Sequence, residues 1–104
     1  MSAMDILQAI GNTSMVRLRK VVPPGCAEIH VKLECENPTG SVKDRMALAV
    51  ITRAEEDGRL RPGDTVVEYT GGSTGASLAL VCAARATGCT SSAPTPSAAR
   101  SSTR

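Results

Sequence analysis

At 104 residues, 41% hydrophobic and 21% charged, the chain has the make-up of one small folded domain or a portion of a larger one, not of a disordered or membrane-spanning segment. Aromatic content of 1%, Tyr69 alone, leaves Ala, Val, Leu and Ile to fill the core. Small side chains remove less apolar area from water, so such a domain standing alone is marginal. The net charge of +2 comes from Arg100 and Arg104, since the rest of the chain carries ten basic and ten acidic residues. Without a basic stripe or an aromatic platform, no nucleic-acid partner is expected.

The opening Met1-Ser2-Ala3-Met4-Asp5 has neither a basic n-region nor an apolar h-region. No stretch reaches the roughly 18 apolar residues of a membrane span. The expectation is a cytoplasmic chain without membrane contact. Asp5 to Ile10 then follows a short helical pattern that stops at Gly11-Asn12, a C-cap and turn signal. Met15, Val16 and Leu18 read as a first strand, Pro23-Pro24-Gly25 as a turn, and Ala27 to Glu34 as a half-exposed strand of period two. Cys26, Cys35, Cys82 and Cys89 match no C-x-x-C pair and the single histidine, His30, falls in that strand-like run, so no metal site is expected. The thiols are expected to be reduced and partly buried.

The next stretch, Asn37-Pro38-Thr39-Gly40-Ser41-Val42-Lys43-Asp44-Arg45, is a turn-rich loop running into an apolar-periodic helix expected from about Val42 to Asp57, with Gly58 as its stop. Lys43 falls in the first turn. Free N–H groups and the positive end of the helix dipole disfavour a second positive charge there, which lowers the pKa of an ammonium group. A partly neutral amine is a nucleophile, and Schiff-base formation with a carbonyl is the chemistry it suits. The alternative is a solvated lysine softened by neighbouring Asp44. Lys20 and Lys32 lie in strand-like runs with no helix start beside them. Of the acidic residues Glu55, Glu56 and Asp57 at the helix end, some are expected to be offset by Arg53 and Arg59.

Arg61-Pro62-Gly63-Asp64 is a tight turn, and Thr65 to Tyr69 reads as a buried β-branched strand. Strand, lysine helix and strand would form a right-handed crossover in a parallel sheet, with Lys43 at the ligand-bearing strand end. Thr70-Gly71-Gly72-Ser73-Thr74-Gly75 leads into a second helix from Ala76 to Thr87 closed by Gly88. A glycine-rich, hydroxyl-bearing loop at a helix start turns N–H groups toward one point and suits a phosphate or carboxylate. A turn of small residues kept for close packing is the alternative. The spacing is neither the dinucleotide fingerprint nor the P-loop.

Taken together, Gly11-Asn12-Thr13, Lys32-Leu33-Glu34, Asn37-Pro38 with Ser41-Val42-Lys43-Asp44-Arg45, Pro62-Gly63-Asp64 and Thr70 to Gly75 resemble the start of the cysteine synthase and cystathionine β-synthase group over roughly residues 5–89. The resemblance implies an α/β fold, the N-terminal part of the tryptophan synthase β-like arrangement with a partial three-layer open parallel sheet. It implies pyridoxal 5'-phosphate as cofactor, a small amino-acid substrate and a homodimeric full-length protein. Lys43 matches the lysine that holds the cofactor and later moves the substrate α-proton. Thr70, Gly71, Gly72, Ser73 and Thr74 match the loop that grips the substrate carboxylate. Ser73 departs from the family, where asparagine is common and bonds the cofactor ring hydroxyl; serine is shorter. The implied chemistry is β-replacement on an activated serine, as in making cysteine from O-acetylserine and sulfide. Cystathionine β-synthase-like and serine or threonine dehydratase-like reactions, or a non-catalytic remnant, are the alternatives.

Family members are about three times as long, and after Gly88 the composition changes. Residues 90–104 hold no Leu, Ile, Val, Met or aromatic residue and are expected to be disordered, against 1–89 as the family-like portion. Codons permitted by residues 90–103, read in another register, can spell LVRADAFSREKLD, a strand-like continuation. A shifted reading frame, genuine or from sequencing, is the expectation for the tail.

Overall fold

A computed structural model describes residues 4–85 and 87–92. Two helices form its centre. α1, Lys43–Glu56, and α2, Ser73–Ala84, are tied at both ends: Asp44 accepts from Ser77 at one, and Arg85 donates to Thr52 and Glu55 at the other. Partners near both ends stand at the same sequence offset, 33 residues, so the helices run side by side in the same direction. Between the ties, Ala47 and Ile51 of α1 pack against Leu78, Val81 and Cys82 of α2. These positions recur at helical spacing, as an apolar stripe requires. Leu7, Ile10, Leu48, Leu60 and Val66 close around this small core.

The strands form two separate pairs. β1, Met15–Leu18, and β2, Ile29–Lys32, make an antiparallel hairpin with Met15 opposite Lys32 and Leu18 opposite Ile29. β3, Thr65–Tyr69, and β4, Gly88–Ser92, run parallel with Thr65 opposite Gly88 and Tyr69 opposite Ser92. The expected α/β class holds, but the crossover falls elsewhere: β2 and β3 belong to different sheets, and the parallel unit is β3, α2 and β4. The period-two pattern of β2 is what a hairpin strand also shows, and pattern alone does not name a strand's partner.

Several local expectations are met and others corrected. The turns at Gly11-Asn12, Gly25, Gly58 and Gly63 are where the sequence puts them. Asp5 to Ile10 is a short 3-10 turn, Ile6–Ala9. The strand expected over Ala27 to Glu34 is trimmed to β2, and Glu34–Glu36 is a second 3-10 turn. Lys20 lies in a turn beyond β1, not in a strand. β3 is largely exposed and not buried, with Val67 69% and Tyr69 67% exposed, because α2 and the core reach only its Val66 side. Thr90 to Ser92, expected to be disordered, continue β4; residues 93–104 of that expectation lie outside the described residues. Gly88 opens β4 and does not close α2, which ends at Ala84. Arg59 pairs with Asp57 as expected, but the partner of Glu55 is Arg85 from α2. Of the four free cysteines only Cys82 is buried, and burial beside Cys89 pushes its thiol up to about 11. His30 lies on the exposed hairpin, 3.2 Å from Glu28. Among the described residues no helix is long and apolar enough to cross a membrane, and no group of metal-binding side chains is found.

Protection from hydrogen exchange should follow this distribution of burial. Amides of Ala47 to Ile51, Val81 and Cys82 should be the slowest, and those of the β1–β2 ladder close to open-chain rates. Ordering each residue costs about 1–2 kcal/mol, and so small a core offsets little of it, so the thermal transition of the 104-residue chain should be broad. A sharp transition with uniformly protected strands would contradict both expectations.

Candidate functional site

Asp44 organises the start of α1. Its side chain is fully buried, and its carboxylate accepts from the Thr39 hydroxyl (2.5 Å), the Thr39 backbone N–H (2.8 Å) and the Ser77 hydroxyl (2.6 Å). Burial raises its pKa, but the bonds from Ser77 and Thr39 together outweigh that and hold it below the usual aspartate value. The residue that the sequence offered as a charge softening Lys43 therefore faces the helix interface. Neighbouring helix positions are rotated by about 100°, so Lys43 is turned away from that interface and is exposed. Its backbone N–H is capped by the Ser41 hydroxyl at 3.0 Å, and its amine makes no hydrogen bond or ion pair among the described residues.

A second network braces the same turn from the other side. Arg45 grips Glu34 with Nε (2.7 Å) and Nη2 (3.2 Å), and Thr13 donates to the same carboxylate at 2.5 Å. Asn37 accepts from the Gly11 N–H (2.8 Å) and donates to Glu34 (2.9 Å), while Lys32 Nζ donates to the Thr13 carbonyl at 2.5 Å. Arg45 first, then Thr13 and Asn37, hold the Glu34 carboxyl down to about 2. Gly11 is required here, with φ of 85° and space for a Cβ only 3.2 Å from the Arg45 guanidinium. The short words Gly11-Asn12-Thr13, Lys32-Leu33-Glu34, Asn37 and Arg45, scattered in sequence, are one structure. Their sequence signal was the order and spacing that carry the family resemblance; that they meet, with Thr13 and Asn37 buried, only the fold shows.

The second candidate stretch forms the start of α2. The helix begins at Ser73, three residues before the expected Ala76, with Gly72 as its N-cap. The Thr70 hydroxyl accepts the N–H groups of Gly72 (3.3 Å) and Gly75 (3.1 Å). Two N–H groups expected to face a ligand are thus taken by the chain itself. Those of Ser73 and Thr74 have no partner among the described residues and keep the positive end of α2 available. Gly71, Gly72 and Ser73 are exposed, Thr74 is half-buried, and a Cβ on Gly72 would meet nothing within 4 Å, so the loop faces open space.

Lys43 and the loop are brought to the same end of the molecule. Ser77, bonded to Asp44, lies one turn beyond Ser73 and Thr74 on α2, so the starts of the two helices adjoin. A groove of about 620 Å³ lies elsewhere, lined by Leu7, Ile10, Leu48 and Ala84 among others and not by Lys43 or Thr70 to Thr74.

An α/β chain with an exposed primary amine at one helix start and unpartnered N–H donors at the adjoining one has the parts for carbonyl chemistry on a small anionic molecule. Residues 6–102 match the family described as pyridoxal-phosphate dependent enzyme, and the chain belongs to that family, with the tryptophan synthase β-like fold. The cysteine synthase of Staphylococcus aureus strain Mu50 is 57% identical over 81 residues, 78% of this chain and 26% of the relative. The solved O-acetyl serine sulfhydrylase isoform 3 from Entamoeba histolytica superposes with a TM-score of 0.80 at 39% identity, covering 88% of this chain and 28% of that one. An O-ureido-L-serine-bound K43A mutant of O-ureido-L-serine synthase gives a TM-score of 0.75 at 46% identity, covering 89% and 28%. The chain thus spans about a quarter of the length of the curated relatives it matches. The family's cofactor is pyridoxal phosphate. The donor set fits its aldehyde, which needs an accessible amine, and fits the carboxylate of an amino acid.

Gly75 sets the size limit of the loop. A Cβ there would lie 2.6 Å from Thr70 Cγ2 and 3.4 Å from its hydroxyl. Gly75→Ala should therefore disrupt the Thr70 cap and speed exchange of the amide at position 75, and Thr70→Ser, which keeps the hydroxyl and removes the methyl, should restore most of the protection. Equal exchange in Gly75→Ala with and without Thr70→Ser would show that the contact is not limiting.

The low Glu34 pKa means that its contribution to stability is present above the ordinary glutamate range, about 4.3, and is lost as pH falls toward about 2. Arg45→Gln should move the Glu34 carboxyl titration, read by carbon NMR, up toward the ordinary glutamate value. An unmoved titration would mean that Arg45 is not its main cause.

Proposed function

We propose that residues 1–89 are the N-terminal portion of a pyridoxal-phosphate-dependent β-replacement enzyme acting on an activated serine in the manner of a cysteine synthase. The carrying observation is the exposed Lys43 amine in the first turn of α1, a helix start tied through Asp44 and Ser77 to the start of α2, whose Ser73 and Thr74 N–H groups have no partner among the described residues. The 57% identity to a cysteine synthase supports the reaction class. The reading brings with it a small amino-acid substrate, a cytoplasmic setting and a homodimeric whole enzyme.

Pyridoxal phosphate, when bound, supplies a carbonyl for an amine and a ring that accepts the electron pair released at the amino acid's α-carbon. Lys43 Nζ would hold the cofactor through that carbonyl, then take the α-proton as a general base. The N–H groups of Ser73 and Thr74, at the positive end of α2, would bind the substrate carboxylate and orient the α-carbon toward Lys43. The Thr70 hydroxyl, occupied by Gly72 and Gly75, keeps the loop in shape. The exposed Ser73 hydroxyl would face the cofactor side. The relative solved as a K43A mutant with O-ureido-L-serine bound supports the view that losing a lysine amine spares amino-acid binding.

We further propose that the chain leaves its frame near Thr90. β4 runs through Gly88–Ser92 although Thr90 is the one β-branched residue there and none is aliphatic or aromatic, whereas the alternative register supplies Leu and Val, which suit a strand. Resequencing should reveal one inserted or deleted base that opens a longer frame; unrelated sequence in every register would end the idea.

In the frame-restored protein, borohydride reduction should fix pyridoxal phosphate on the peptide containing Lys43. Lys43→Ala and Lys43→Arg should both abolish the visible absorbance band and turnover, because arginine keeps the charge without a deprotonatable amine. Label on Lys20 or Lys32 in place of Lys43 would refute the assignment. O-acetylserine with sulfide should be the productive pair, and faster turnover of serine with homocysteine would move the protein to the cystathionine-forming reaction.

A further inference from the structure

We infer that Asp44 is the positioning residue for Lys43, clamping the starts of α1 and α2 so that the lysine amine and the free N–H groups of Ser73 and Thr74 keep a fixed reach. The inference rests on the role proposed for Lys43. A carboxylate in the first turn of a helix is stabilised by the dipole even when exposed, so that effect does not call for burial. Asp44 is fully buried, and among the described residues it has no cationic partner. Burying a charge is costly unless hydrogen bonds compensate it.

The compensating donors come from two segments that matter for the site, the loop before Lys43 and α2. Oδ1 accepts from Thr39 Oγ1 and from Ser77 Oγ, and Oδ2 accepts from the Thr39 N–H. The loop before Lys43, the turn containing it and the helix bearing the carboxylate grip therefore meet on one side chain. Thr39 and Ser77 also approach each other to 3.4 Å, so the cluster is closed. An apolar residue at 44 would pack the same interface without fixing the helices along their axes. Oriented acceptors do fix them, because a hydrogen bond weakens steeply when misaligned.

The test uses the 104-residue chain, incubated with pyridoxal phosphate and reduced with borohydride. Label on Lys43 is counted against Lys20 by peptide mass spectrometry, and amide exchange at Ala47 and Ile51 is read in the same samples. Asp44→Asn sets an amide NH₂ against the Thr39 N–H or the two hydroxyls; Ser77→Ala cuts only the link to α2; Ser77→Thr keeps the hydroxyl. The unmodified chain should favour Lys43, and Asp44→Asn and Ser77→Ala should lose that preference by about tenfold or more, since small misplacements of a reacting group cost rate steeply. Ser77→Thr should retain it, and core exchange in Ser77→Ala should be unchanged. Preference kept in Asp44→Asn and Ser77→Ala overturns the inference and leaves the role of Lys43 standing. Preference lost only together with core protection also overturns it, because the effect is then unfolding. An unmodified chain without preference for Lys43 overturns both readings.

Discussion

A negative charge held inside an apolar helix interface is the constraint on which this structure depends. Asp44 lies one turn before Ala47, at the end of the helix pair whose core is Ala47, Ile51, Leu78 and Val81, and among the described residues its hydrogen-bond donors are hydroxyls and one amide. Water is excluded, so each of those donors has to be present and aimed. Thr39 can supply two of them only if the loop from Asn37 to Val42 turns as it does, and Ser77 only if α2 lies parallel to α1. The direction of the helices, the path of the loop and the outward turn of Lys43 are consequences of satisfying one carboxylate.

Glu34 solves the opposite electrostatic problem. Its partner is a guanidinium, and the pair is partly exposed, so it acts less through strength than through geometry. Two-point contact with Arg45 links the segment after β2 to the first turn of α1, and Thr13 and Asn37 extend the link to the N-terminal turn. The first turn of α1 is therefore held from both flanks, by an uncharged donor set on the buried side and by an ion pair on the wet side. Lys43 stands between them, fixed through its backbone with its amine left open.

Away from this junction the structure is thinly held. Neither strand pair buries a whole face: Met15, Val16 and Ile29 are exposed on the hairpin, and Val67 and Tyr69 on β3. Two strands alone are marginal in water. The polar junction and the small core between α1 and α2 carry the order that the rest of the described chain inherits, which suits a segment matching about a quarter of its relatives' length.

The sequence by itself determined the local pieces. Helix periodicity after Lys43, the turns at Gly11, Gly25 and Gly63, and the glycine-rich loop before α2 all follow from backbone preferences within a few residues, and Lys43 was singled out by its position at a helix start. Motif order also carried the family resemblance, because order and spacing are sequence properties. Tertiary structure decided which pieces meet. It assigned β2 to a hairpin and β3 to a parallel pair, showed that Asp44 faces away from Lys43, and gave two of the loop's N–H groups to Thr70. Partners such as Ser77 lie 33 residues from Asp44, and no local preference records them. A buried carboxylate and an exposed one read alike in sequence; only the donors that fold around them tell the two apart.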